Sequence, residues 1–75
     1  MHQKDIIRLD ARVLGVIAHS VFRAELANGH EFVAYAARQD RERFADLERG
    51  STVTVEMSPF DMSRGRISAE KYEGI

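Results

Sequence analysis

The feature that most constrains this chain is a period-two alternation of apolar and polar residues, recurring in short runs between turn residues. Ile7, Leu9, Ala11 and Val13 alternate with Arg8, Asp10 and Arg12, which sends the two sets to opposite faces of an extended strand. The pattern continues to Ile17 but crosses Gly15, where a missing side chain permits a bulge or bend. A long first strand that bends midway can belong to two sheet regions at once, as closing a small barrel requires.

A second run places Phe22, Ala24 and Leu26 on one face and Arg23 and Glu25 on the other. Asn28-Gly29 follows, then a third run from His30 to Ala36 with Phe32 and Ala34 as its inward pair. The register of this hairpin follows from turn chemistry. A two-residue loop would set Phe32 beside Glu25, on the wrong face. A three-residue loop, Ala27-Asn28-Gly29, instead pairs Leu26 with His30, Ala24 with Phe32 and Phe22 with Ala34. It requires positive φ at its third position, which glycine adopts without steric cost.

Between Arg38 and Arg49 the period changes. Phe44 and Leu47 are three apart, Asp40 is a candidate N-cap and Gly50 a stop, predicting one short helix of two or three turns held by burial of Phe44 and Leu47. A fourth strand turns Val53, Val55 and Met57 inward and Thr52, Thr54 and Glu56 outward. A turn is expected at Pro59–Ser63, then a last strand over Arg64–Ser68 with Ile67 inward. Five strands with one short helix between strands 3 and 4 predict an all-β Greek-key barrel of the OB type. Closure removes the open edges that would threaten so small a sheet.

Seventy-five residues suffice for one domain, 1–75, with its core over about 6–68. Charged residues at 31 % and apolar ones at 44 % are a globular balance, and eleven Lys+Arg against twelve Asp+Glu give no overall signal for nucleic acid. No cysteine is present, which suits a reducing cytosol, and the first residues do not resemble a signal peptide. No apolar run reaches the ~20 residues of a membrane span. A monomeric cytoplasmic protein without membrane attachment is expected.

Catalysis finds no support. His2, His19 and His30 are scattered without metal-ligand spacing, no glycine-rich phosphate loop precedes a helix, and the carboxylates are dispersed among arginines. A binding protein without cofactor or metal is expected. OB barrels bind single-stranded nucleic acid with basic grooves and stacking rings. Arg64 and Arg66 flank Gly65 and share one face of a strand. Phe22 begins an inward series and reads as core, whereas Tyr35 falls on the outward parity and reads as a platform. Phe60, beside Pro59, either stacks or caps the barrel end.

Two stretches carry a resemblance to a known family. Residues 21–30, VFRAELANGH, resemble the "MFRVELENGH" hairpin of bacterial translation initiation factor 1, and residues 53–67, VTVEMSPFDMSRGRI, resemble its "VTVELTPYDLSKGRI" segment. The match runs without a gap from about Ile6 to Ile67. It implies a five-stranded OB fold and a protein that binds the small (30S) ribosomal subunit at the decoding A site. There it would contact 16S rRNA and ribosomal protein and act with the two larger initiation factors.

By position, Arg64 and Arg66 match the basic residues of the family's Lys-Gly-Arg turn and strand. Arg41 matches the arginine of its "GKMRKNYIRIL" loop, and Arg23 the arginine after the hairpin phenylalanine. Departures concentrate in the loop: Arg38 stands at the family's glycine, Gln39 and Glu42 at lysines, Asp46 at an arginine and Arg43 at an asparagine. Four arginines there meet four acids, and the tail after Ile67 lacks a basic ending. The resemblance thus implies an RNA-binding set of Arg64, Arg66 and Arg41, with Arg43 and Arg38 partly replacing the lysines. Arg23, Tyr35 and His30 are expected to add polar or stacking contacts. The alternative is an OB module for another single-stranded RNA or for a protein partner.

Overall fold

A computed structural model describes residues 6–68; His2 and the tail after Ser68 lie outside the described residues. Five strands form a closed barrel: β1 (Ile7–Ala18), β2 (Val21–Leu26), β3 (Glu31–Ala36), β4 (Thr52–Ser58) and β5 (Asp61–Ile67). They are ordered β1-β2-β3-β5-β4. All neighbouring pairs are antiparallel except β3 and β5. This is the OB-type barrel expected from the alternation. Its core is filled from every strand, and Val13, Phe22, Val53, Val55, Met57 and Ile67 are the largest fully buried side chains.

β1 serves two sheet regions. Residues 7–12 pair with β4 and residues 11–18 with β2, with register shifts between Val13 and Gly15 and between Val16 and Ala18. The bend therefore lies where the sequence placed it, but its cause differs. A Cβ built on Gly15 meets nothing within 4 Å, so the bulge does not depend on the absent side chain. The shift also breaks the inward parity: Val16 and Ile17 are exposed rather than continuing the core series.

The hairpin has the three-residue loop. Phe22 pairs with Ala34 and Ala24 with Phe32, while Glu25 faces Glu31. The Leu26 N–H donates to the His30 carbonyl at 2.9 Å, and Gly29 takes φ +91°.

The predicted helix is replaced by a tight turn. Only Arg38–Asp40 form a 3₁₀ turn, preceded by Ala37 with no side-chain cap, so Asp40 is not an N-cap. Turns continue through Asp46. Most backbone bonds here span three residues, such as Ala45 N–H to the Glu42 carbonyl and Leu47 N–H to the Phe44 carbonyl. Two apolar anchors three apart are satisfied by this tighter winding, and so short a segment cannot offset the cost of nucleating an α-helix. Phe44 is buried and Leu47 only partly so. Gly50, at φ +94°, ends the segment and donates its N–H to the Val13 carbonyl at 2.7 Å.

The β4–β5 connection is also shorter than expected. Ser58 pairs with Asp61 across a two-residue turn, Pro59-Phe60, so β5 begins at Asp61 rather than Arg64. Phe60 projects from this turn, 83 % exposed, and does not cap the barrel.

Candidate nucleic-acid interface

The outward face of β5 is set by what its inward residues must do. Gly65 and Ile67 are buried, so Arg64 and Arg66 point to solvent by strand parity. Gly65 is glycine for space: a Cβ there would lie 3.0 Å from Met57 Cγ and 3.1 Å from Phe32 Cε2. Parallel pairing with β3 then sets Arg64 beside Val33 and Arg66 beside Tyr35. Antiparallel pairing of β3 with β2 brings Arg23 beside Val33 and Val21 beside Tyr35. Two outward rows result. Arg23, Val33 and Arg64 form one, and Val21, Tyr35 and Arg66 the other, which continues to Glu56 on β4 and Arg8 on β1.

The structure therefore brings Tyr35, Arg64 and Arg66 into one hollow, closed by Glu56, Asp61 and Ile6. Arg23 lies two strands from Arg64, about 10 Å by strand spacing, and lines an adjoining groove with His30, Val33, Phe60 and Met62. His30 is engaged in holding the barrel: its Nε2 donates to the Met62 carbonyl at 2.7 Å, and its ring stacks on Phe32 at 6.3 Å. That contact joins the hairpin loop to the start of β5.

The arginines are not electrostatically equivalent. Arg66 donates to Glu56 Oε1 at 2.5 Å, and Arg8 Nε donates to Oε2 of the same carboxylate at 3.1 Å. The Glu56 side chain is only 12 % exposed, against 52 % for Arg66. The hydrogen bond from Arg66 leads the effects that hold the Glu56 carboxyl below its ordinary range, and the same bond raises the Arg66 guanidinium. Asp61 is also held low, chiefly by the Ser63 hydroxyl and backbone N–H. Among the described residues, Arg64 and Arg23 make no salt bridge.

Arg38, Arg41 and Arg43 are exposed on the β3–β4 connection, apart from the two rows. This segment leaves β3 immediately after Tyr35 and Ala36 and brings the Asp40 charge into reach of Arg66. Ser20, buried and at φ +63°, anchors it by donating its hydroxyl to the Arg41 carbonyl at 2.9 Å. Arg8 and Glu56 were not among the candidates read from sequence. Their outward parity was legible, but their meeting depends on registers between β4, β5 and β1.

Residues 8–64 match the family model of the TOBE domain. The chain belongs to the TOBE domain family. Among solved structures, this TOBE domain is similar to the solution structure of translation initiation factor 1 from the Wolbachia endosymbiont strain TRS of Brugia malayi. The two are 26 % identical with a TM-score of 0.66, over 96 % of this chain and 90 % of that one. Among the described residues of the TOBE domain, no helix is long and apolar enough to cross a membrane.

Proposed function

We propose that this chain is a translation initiation factor that docks on the small (30S) ribosomal subunit at the decoding A site. It lays the β3–β5 face against 16S rRNA, touches ribosomal protein beside it, and works with the two larger initiation factors in the cytoplasm, as a monomer without enzymatic chemistry. The observation that carries this reading is the parallel β3–β5 pairing, which gathers Tyr35, Arg64 and Arg66 with Arg23 alongside. Guanidinium groups meet phosphates and the ring offers a stacking face. Likeness to a translation initiation factor over nearly the whole chain supports the same reading. Arg41, Arg43 and Arg38 extend the cationic surface from the adjoining loop.

Binding to purified 30S subunits, followed as salt is raised, tests it. Replacing Arg64 and Arg66 together with alanine is expected to weaken binding about tenfold or more. The slope of log affinity against log salt should flatten by about 0.7–0.9 for each phosphate that is no longer neutralised. Unchanged affinity at moderate salt would overturn the reading. Rescue of cells depleted of their own initiation factor 1 is the matching test in vivo.

The TOBE family match and the equal numbers of arginines and acids over 38–49 favour a second reading, an OB module for another single-stranded RNA or a protein. A steep salt slope with short RNA and none with 30S subunits, or a flat slope with a protein partner, would select it.

A further inference from the structure

Glu56 is the one carboxylate that makes a salt bridge to a proposed RNA-binding guanidinium, that of Arg66, among the described residues. Both of its oxygens are engaged, one by Arg66 and one by Arg8, and its side chain is mostly covered while Arg66 stays half exposed. Arg66 thus presents its remaining donors outward while a built-in anion occupies part of the fork that would grip a phosphate. Arg64, two residues away on the same face, makes no salt bridge among the described residues and feels a carboxylate, Asp61, only at longer range. Two neighbouring cations of the same type are therefore set to different strengths.

From this geometry we propose that Glu56 acts as an internal competitor for Arg66, limiting how tightly the β3–β5 face holds an RNA phosphate. The proposal rests on the reading of that face as RNA-binding and adds a residue that tunes it. A phosphate approaching Arg66 must share or displace the carboxylate. The affinity of the face is then lower, and its salt dependence shallower, than its arginines alone would set. Because Glu56 also ties β1 and β5 to β4, it restrains Arg66 at the same time. Its replacement is expected to strengthen binding while weakening the barrel, a combination that a purely structural residue would not produce.

The test is a double-mutant cycle with a short fluorescein-labelled oligouridylate, read by anisotropy across a salt series, using the full chain and variants that retain a cooperative thermal transition. Glu56→Gln, which keeps the shape and one hydrogen-bond acceptor, is expected to tighten binding about fivefold at low salt and to steepen the salt slope. Glu56→Asp, which keeps the charge, should stay near the parent affinity. In an Arg66→Ala background the gain from Glu56→Gln should disappear.

A gain that survives undiminished without Arg66 would mean that Glu56 acts by general repulsion, and would overturn the proposal. So would binding that Arg64→Ala weakens and Glu56→Gln leaves unchanged, a result that spares the reading of the face. No binding to oligouridylate by any variant, together with no effect of Glu56→Gln on 30S binding, would also overturn it. If Arg64→Ala in addition left 30S binding unchanged, the reading of the face would fall with it.

Discussion

Gly65 shows how one position can serve the core and the surface at once. Its lack of a side chain lets β5 close over Met57, Phe32 and Val55, and that closure turns Arg64 and Arg66 outward on either side. Gly65→Ala should destabilise the protein by about 1–3 kcal/mol through overpacking, the lower end applying if Met57 yields. Urea unfolding would measure it. Gly15 makes the contrast, because a methyl group there enters open space. His30 belongs to the same scale: its place at a strand start opposite Leu26 was legible, but its hydrogen bond to Met62, thirty-two residues away, was not.

The connection between β3 and β4 shows where local pattern stops short. Phe44 and Leu47 correctly marked a segment that buries an apolar side against the barrel, and Phe44 is buried. Their spacing fits a 3₁₀ winding as well as an α-helical turn, and the nucleation cost of a short helix together with packing against the closed sheet selects between them. Phe44→Ala should cost about 3 kcal/mol, typical of a large core truncation, and should release the arginines of this loop from their anchored path. Thermal unfolding would read the first effect and limited proteolysis at Arg41 and Arg43 the second. The hairpin is the opposite case. Asn28-Gly29, the inward aromatic and the positive φ at Gly29 all act between near neighbours, so the register could be argued before any tertiary contact was known.

Across the whole molecule, the Arg8–Glu56–Arg66 bridge joins three strands where the barrel closes. Its pH dependence has a definite sign. Glu56 titrates below its ordinary value when folded, so its contribution is complete above the unfolded glutamate value, about pH 4.3. That contribution disappears as pH falls through the lower folded value. With both arginines half exposed, it should reach at most about 1 kcal/mol. Denaturant titrations should therefore separate the parent from Glu56→Gln at neutral pH and bring them together in strong acid.

What the residue order determined by itself is the set of five strands, their inward faces short of the bend in β1, the place of that bend and the hairpin register, because each follows from alternation or turn stereochemistry over short stretches of chain. The tertiary structure alone decided which outward residues meet. Arg23, Tyr35, Arg64 and Arg66 come from three strands, and their gathering depends on the parallel β3–β5 pairing between segments far apart in the chain. The same holds for Glu56: its outward direction is a matter of parity, but its grip on Arg66 and Arg8 exists only once the barrel has closed.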